Sequence, residues 1–324
     1  MEPWSKELAG RLDEHELDSA ALAGNPLGDP ARRPLWVYTP PGAAEGATLP
    51  AVYLIQGFTG QLDMWRNRSA FRPTVLELVD DLRAPVRVVF VDAWTSYGGS
   101  QFVDSSGVGK YHTYLCEDVV GFVDERYPTS ARAIAGKSSG GYGAMVSAML
   151  RPDVFTGFAT HAGDALFELC YLPDFRDAVR ALRDSYDGSF EAFWQDFRSR
   201  PAFAKGSDHA LINTYAMAEC YTPGELPFDV ATGELNQQVW ERWLAWDPVR
   251  MVDAHADALR SMRAIYVDAG TRDQFYLDLG AEAFRRALER IGVTDVFFEL
   301  FDATHSAIEY RYPIALRYLA ERLQ

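Results

Sequence analysis

The sequence has no uninterrupted apolar stretch approaching 18 residues, so it contains no candidate membrane-spanning helix. Basic residues are also few: 31 Lys and Arg stand against 46 Asp and Glu among 324 residues, which gives a formal net charge of −15. This balance argues against nucleic-acid binding, because phosphate recognition uses clustered Lys and Arg. It also disfavours docking on an anionic membrane. We therefore expect neither nucleic acid nor membrane as a partner.

Cysteine is scarce as well. Cys116, Cys170 and Cys220 are far apart and lack the spacing of metal ligands, so we expect them to be reduced and buried, with a bridge between one pair as the open alternative. The first residues show no basic segment followed by an apolar one, so we expect no secretory signal and a cytoplasmic location. The chain has no H-E-x-x-H, no C-x-x-C and no G-x-G-x-x-G after a strand. We expect no metal and no cofactor.

Apolar residues make up 48% of the chain, which supports a folded core. Short apolar runs alternate with helical stretches, and this pattern predicts an α/β fold with a mostly parallel sheet covered by helices on both faces. We expect one domain spanning residues 1–324. Within it, residues 34–38 and 51–55 are expected to be antiparallel neighbours, and residues 6–22 to form one short helix. Residues 164–246 break the alternation, and their aromatic residues among charges indicate a helical insertion, or lid.

The strongest motif is Gly-Lys-Ser-Ser-Gly at residues 136–140, which lies between an apolar strand and a helix of small residues. This is G-x-S-x-G in the strand–turn–helix context that exposes a nucleophilic serine. The glycines allow the strand and the helix to pass closely, and the helix N-terminus favours a developing negative charge. We predict that Ser138 is the nucleophile. Ser139 is the rival serine, but its own flanking residues fit the motif less well.

A serine hydroxyl needs a base to take its proton and an acid to orient that base. After a G-x-S-x-G elbow the order along the chain is serine, acid, histidine. His305 is the histidine that follows a late strand, so we predict that it is the base. Asp273, in the loop after the strand at residues 264–268, is the favoured acid. Asp268 and Asp302 stay open as alternatives.

Two backbone N–H groups should stabilise the oxyanion of the reaction, one from the residue after the nucleophile and one from the loop after an early strand. These criteria select the amides of Ser139 and Phe58. Three further residues are candidates for the substrate pocket: His161, which follows a strand near the elbow, and Trp194 and Trp243 in the insertion. The tryptophans have an equally good alternative role as the packing core of the insertion itself.

The sequence resembles the esterase D/putative esterase family of α/β-hydrolases over roughly residues 34–163 and 247–323. The resemblance rests on the motifs at residues 56–60, 98–102, 111–123, 136–140 and 268–275 and on His305. It implies an α/β-hydrolase fold, and the family's nucleophile, acid, base and two oxyanion donors fall on Ser138, Asp273, His305, Phe58 and Ser139. The family includes S-formylglutathione hydrolases, enterochelin esterases, feruloyl esterases and the antigen 85 mycolyltransferases.

Several positions depart from the family pattern. Ser139 stands where Met is usual, and Lys137 precedes the nucleophile where an apolar residue, His or Gln is more common. The loop at residues 56–60 lacks the cysteine that is typical of formylglutathione hydrolases. These differences bear on the identity of the substrate and leave the type of reaction unchanged.

The motifs together predict a serine carboxylic-ester hydrolase that forms an acyl-enzyme with a small or medium acyl or aryl ester, a small-molecule partner. One alternative is an acyltransferase with the same three residues, in which an acceptor hydroxyl replaces water. The other is a catalytically silent α/β-hydrolase-fold binding protein, which the retention of Ser138, Asp273 and His305 disfavours. A homo-oligomer is a further open expectation.

Overall fold

A computed structural model describes residues 6–68 and 72–324 of the chain. Its strands are β1 (Arg11–Asp18), β2 (Arg32–Thr39), β3 (Leu49–Ile55), β4 (Arg87–Val91), β5 (Asp104–Ser105), β6 (Gly109–Lys110), β7 (Thr129–Lys137), β8 (Gly157–His161), β9 (Ala264–Gly270) and β10 (Phe297–Phe301). Eight of them form one sheet in the order β1-β2-β4-β3-β7-β8-β9-β10, and β5 pairs with β6 in a small separate hairpin. From β4 to β10 all neighbouring strands in the large sheet are parallel, while β2 runs antiparallel to β1 and β4. The predicted mostly parallel sheet is confirmed.

The helices pack on both faces of this sheet. They are α1 (Val75–Leu82), α2 (Tyr111–Thr113), α3 (Val120–Arg126), α4 (Ser139–Leu150), α5 (Phe167–Cys170), α6 (Leu172–Tyr186), α7 (Phe190–Ser199), α8 (Asp208–Tyr221), α9 (Gln237–Leu244), α10 (Pro248–Ala254), α11 (Ala256–Arg260), α12 (Leu277–Arg290) and α13 (Tyr312–Arg322). A π-helical segment, Tyr114–Val119, joins α2 to α3. Along β3, Val52 and Leu54 face the cluster that includes α1 and α13, whereas Tyr53 and Ile55 face the cluster that includes α4 and α12.

The N-terminal segment is a strand and not the helix expected at residues 6–22. Its Leu12 packs against one hydrophobic cluster and Leu17 belongs to the other, so the two side chains lie on opposite faces of the sheet. Leu12 and Leu17 are five positions apart, and an odd separation places strand residues on opposite faces. Pairing with β2 also provides hydrogen bonds along the whole of β1. The expectation was wrong because this long-range pairing outweighs the local pattern.

The pairing expected between residues 34–38 and 51–55 is also wrong. β4 lies between β2 and β3, so β2 is antiparallel to β4 and β3 is parallel to β4 and β7. All residues of β3 after Leu49 are buried. A strand that is apolar on both faces is stable in the middle of a parallel sheet that helices cover on each side.

The stretch at residues 164–246 contains α5 to α9 and, apart from an isolated bridge between Phe228 and Leu235, no strand pairing. Its aromatic residues pack on one another: the rings of Phe175 and Trp243 lie 5.5 Å apart, edge to face. All three cysteines are free and buried. Among the described residues, no helix is both long and apolar enough to cross a membrane.

Candidate active site

Ser138 lies in a tight turn between β7 and α4, at the carboxyl end of a central strand. Its φ of 59° and ψ of −129° form a strained conformation for a residue with a side chain. The turn is fixed from behind, because the N–H of Ser138 donates to the carbonyls of His161 at 3.0 Å and Ala162 at 3.1 Å. The backbone thus holds the hydroxyl at the edge of the sheet, as a nucleophile elbow requires.

Close packing explains both glycines of the motif. A Cβ added to Gly136 would lie 2.4 Å from the carbonyl carbon of Gly140, and one added to Gly140 would lie 2.5 Å from the carbonyl oxygen of Ile55. Neither backbone can move aside without disturbing the central strands. The elbow therefore requires residues without a side chain at these two positions.

His305 and Asp273 form a pair at the carboxyl ends of β10 and β9. Nδ1 of His305 lies 2.7 Å from Oδ2 of Asp273, and both residues are buried. The other oxygen of Asp273 accepts from the backbone N–H of Phe275 at 2.8 Å. The backbone N–H of His305 donates to the side chain of Gln274 at 3.3 Å. These contacts fix the orientation of the imidazole, and His305 lines the same cavity as Ser138.

The two alternative acids are engaged elsewhere. Asp268 is fully buried and accepts from His161, from the hydroxyl of Tyr266 and from Nε of Arg311 at 2.7 to 2.8 Å. Burial by itself would raise the pKa of Asp268, but its contacts with His161 and Arg311 outweigh that effect and hold the pKa below its usual value. Asp302 is exposed and pairs with a neighbouring arginine. Neither carboxylate contacts His305.

The loop after β3 lies directly against the elbow. A Cβ on Gly57 would be 3.0 Å from the carbonyl oxygen of Lys137, which shows how closely the two segments approach. Phe58 and Ser139 both line the cavity beside Ser138. Ser139 is the first residue of α4, where the backbone N–H groups have no partner within the helix. Two backbone segments are therefore available on one side of the nucleophile.

The cavity over Ser138 has a volume of about 300 Å³. Its apolar wall consists of Phe58, Phe203, Phe275 and Leu277. Other lining residues are polar: Thr59, Ser139, Asp164, Tyr171, His209 and Asn213. This volume lies within the range of small-molecule binding sites in proteins.

The structure places the three predicted pocket residues away from this cavity. His161 is buried beneath the elbow, where its Nδ1 pairs with Asp268. Trp243 is fully buried in the aromatic core of the insertion, where its Nε1 donates to Oγ1 of Thr222 at 2.8 Å. Trp194 packs on Tyr97, with ring centroids 5.0 Å apart. The two tryptophans thus have the packing role that was the alternative interpretation.

Sequence reasoning missed several residues that line the cavity. Asp164 could have been found, since it comes shortly after β8, and ligands bind at the carboxyl ends of parallel strands. His209 and Asn213 lie on α8, and Phe203 precedes that helix. No local motif marks these three residues, because only the packing of the insertion on the sheet brings them to Ser138.

Comparison with known proteins adds an independent line of evidence. A model of the family described as "Putative esterase" matches residues 30–291. No curated protein matches the chain. Among solved structures, an S-formylglutathione hydrolase from Agrobacterium tumefaciens is similar, with a TM-score of 0.61 and 19% identity over 99% of this chain and 98% of its own.

Two further structures are similar over nearly their whole length. A ferulic acid esterase has a TM-score of 0.59 and 18% identity over 98% of both chains. The fluorophosphonate-binding serine hydrolase FphF from Staphylococcus aureus has a TM-score of 0.57 and 16% identity, over 97% of this chain and 98% of its own. At these identities the similarity establishes the fold alone, and that fold is the predicted α/β-hydrolase fold.

Proposed function

The chain belongs to the putative esterase family and is an esterase, and from that premise we propose that Ser138, His305 and Asp273 carry out the hydrolysis of a carboxylic ester. One observation carries the proposal: the same cavity is lined by Ser138, on its strained elbow, and by His305, whose Nδ1 lies 2.7 Å from Asp273. This is the arrangement of nucleophile, base and orienting acid that acyl transfer to serine requires.

In the proposed first step Oγ of Ser138 attacks the ester carbonyl while His305 accepts the hydroxyl proton. Asp273 keeps the imidazole in the tautomer whose free nitrogen can accept that proton, and it stabilises the imidazolium that forms. The N–H groups of Phe58 and Ser139 stabilise the tetrahedral oxyanion. When the C–O bond to the alcohol breaks, the alcohol leaves with the proton from His305 and the acyl group stays on Ser138.

In the second step water attacks the acyl-enzyme, and His305 takes a proton from that water. The second tetrahedral intermediate collapses, Oγ of Ser138 regains its proton from His305, and the carboxylic acid leaves. The cavity volume of about 300 Å³ supports a small or medium acyl or aryl ester as the substrate.

We propose that residues 164–246 act as the lid of this site. Six residues of that stretch line the cavity over Ser138: Asp164, Cys170, Tyr171, Phe203, His209 and Asn213. Their contribution gives the insertion control over the shape of the pocket, as in other enzymes whose loops and helices close over a fixed catalytic centre. Cytoplasmic location and self-association stay predictions from the sequence.

The test is labelling with a fluorophosphonate probe, peptide mapping of the labelled serine and hydrolysis of a p-nitrophenyl ester series of increasing chain length. We expect stoichiometric labelling at Ser138. The Ser138→Ala variant should abolish labelling and lower kcat by at least about 10³-fold. Ser139→Ala keeps the backbone N–H and is the matched control, which should still be labelled at Ser138.

Two results would contradict the proposal. Labelling at Ser139, or full esterase activity in Ser138→Ala, would show that another residue is the nucleophile. A well-folded protein that is neither labelled nor active would favour the catalytically silent alternative. Product ratios with and without added alcohol separate hydrolysis from acyl transfer, because an acyltransferase would form the new ester in preference to the acid.

A further inference from the structure

Asp164 is a carboxylate within the cavity that the proposed mechanism does not use. It follows β8, is 6% exposed and lines the cavity together with Ser138 and His305. Burial raises the pKa of Asp164, and the hydrogen bond from Tyr171, the electrostatic attraction of His305 and the hydrogen bond from Ser139 oppose that rise. A buried carboxylate at a functional site calls for a partner.

The hydrogen bonds of Asp164 are concentrated on one of its two oxygens. Oδ2 accepts from the hydroxyl of Tyr171 at 2.7 Å, from Oγ of Ser139 at 3.1 Å and from Nε2 of Gln101 at 3.3 Å. Among residues 6–68 and 72–324, none donates to Oδ1, and no Lys or Arg forms an ion pair with this carboxylate. Three neutral donors thus orient the group through Oδ2, and the basic side chain that acts on its charge is His305 in the same cavity.

Asn213 supplies a second acceptor to the same cavity. Its Nδ2 donates to Oδ2 of Asp174 at 3.1 Å, and the carboxylate of Asp174 can only accept when it is ionised. The atom of the Asn213 amide that bonds to Asp174 is therefore the nitrogen, and the amide oxygen forms no hydrogen bond with Asp174. Asn213 lines the cavity with Asp164. The cavity thus offers two acceptors alongside an apolar wall.

We propose that Asp164 binds a primary ammonium group of the substrate, so that the preferred esters carry an amine close to the scissile carbonyl. An ammonium has three N–H donors, which match Oδ1 of Asp164 and the amide oxygen of Asn213. Its positive charge compensates a buried carboxylate that forms no ion pair with Lys or Arg and has only His305 as a basic neighbour in the cavity. The net charge of −15 also favours the approach of cations. This inference rests on the proposed function, because it assumes that Ser138 is the reacting group.

The first test compares kcat/KM for the p-nitrophenyl esters of 3-aminopropanoate, 3-hydroxypropanoate and butanoate, which have the same number of heavy atoms in the acyl chain. We expect the wild-type protein to prefer the amine over butanoate by about tenfold or more. Asp164→Asn should lose that preference, because kcat/KM for the amine ester should fall much further than kcat/KM for butanoate. Glu219→Gln is the matched control, since Glu219 is a half-buried carboxylate outside the cavity; it should leave the preference unchanged.

The second test needs no variant. n-Butylammonium, 1-butanol and butanoate at equal concentration are compared as protectors of Ser138 against the fluorophosphonate probe. Protection by the ammonium alone supports the proposal, whether the amine belongs to the acyl or the alcohol part of the ester. Equal protection by 1-butanol, or stronger protection by butanoate, would overturn it.

Two further outcomes separate the inference from the proposed function. If Asp164→Asn lowers the hydrolysis of all three esters equally, Asp164 only supports the structure through Ser139, and the inference is wrong while the proposed function stands. If Ser138 resists labelling and Ser138→Ala retains activity, the proposed function fails and this inference fails with it.

Discussion

The carboxylate of Asp268 lies 2.7 Å from Nδ1 of His161, in a fully buried position beneath the elbow that carries Ser138. The carbonyl of His161 accepts a hydrogen bond from the backbone N–H of Ser138, so this pair supports the turn that carries Ser138. Asp273 and His305 have the same 2.7 Å separation, but His305 lines the cavity. The two His–Asp pairs therefore have the same separation but different surroundings. One is enclosed beneath the elbow and the other borders the cavity, so we expect the first to support the fold and the second to take part in the reaction.

The first prediction distinguishes these two carboxylates. Asp273→Asn should lower kcat by about 10³- to 10⁴-fold, because the amide no longer orients and stabilises the imidazole, with a small effect on stability. Asp268→Asn should instead lower the free energy of unfolding by about 3 kcal/mol, because it removes the buried charge that pairs with Arg311 and leaves that arginine only its half-exposed partner Glu299. Ester hydrolysis and urea denaturation of both variants provide the measurement. A larger loss of kcat in folded Asp268→Asn than in Asp273→Asn would reverse the assignment.

The second prediction concerns the glycine at the start of α4. Gly140→Ala should lower the free energy of unfolding by about 1–3 kcal/mol and also lower activity, because its methyl group would collide with the carbonyl oxygen of Ile55. Gly121→Ala is the matched control in α3, where an added Cβ meets nothing within 4 Å. That change should raise the stability by about 0.5–1 kcal/mol. Equal effects of the two variants on thermal unfolding would contradict the close contact between Gly140 and the carbonyl of Ile55.

The third prediction separates pocket residues from core residues of the insertion. Phe203 is 51% exposed and lines the cavity. Phe203→Ala should therefore raise KM severalfold with little change in Tm. Trp243→Phe removes the buried hydrogen bond to Thr222 and should cost about 1–3 kcal/mol of stability with KM unchanged. Steady-state kinetics below Tm and thermal unfolding test both. The lid assignment fails if Phe203→Ala leaves KM unaltered for every ester.

The fourth prediction concerns stability in acid. Hydrogen bonds from Arg285 and Arg286 lower the pKa of Glu282 to about 2. A carboxylate whose pKa is lower in the folded state stabilises the fold above its unfolded pKa of about 4.5, and this stabilisation is lost as the pH falls from there to about 2. Glu282→Gln should cost less than about 1 kcal/mol at pH 7, since the pair is at the surface.

Urea denaturation of Glu282→Gln at pH 7 and pH 3 measures this dependence. The difference from the wild-type protein should shrink at pH 3, where the wild-type carboxyl group is closer to its neutral form. Glu241→Gln, at an exposed position of α9, is the control and should show no such change. A difference that stays constant, or grows, as the pH falls would contradict the role of the ionised carboxylate.

Several features could be predicted from the sequence because they depend on local order along the chain. The strand, the G-x-S-x-G turn and the small-residue helix are adjacent in sequence, so Ser138 is placed by its own neighbours. Asp273 and His305 each follow a strand, and successive parallel strands bring their carboxyl ends to one edge of the sheet. The chain order of these three residues was therefore enough to select a pair that the structure brings together.

Other features depended on contacts between distant parts of the chain. Residues 11–18 form a strand because they pair with β2. β3 is a central strand because β4 lies between it and β2. Trp194 and Trp243 pack in the insertion and do not line the pocket, where the large apolar surface of each ring contacts other aromatic residues. Asp164, for which the sequence analysis predicted no role, is held in the cavity by donors from Gln101, Ser139 and Tyr171. The sequence by itself determined the fold class and the choice of Ser138, Asp273 and His305 as the proposed reacting groups, which local motifs and strand order specify. Only the tertiary structure decided which side chains surround those groups, because that choice depends on how the helices of residues 164–246 pack over the sheet.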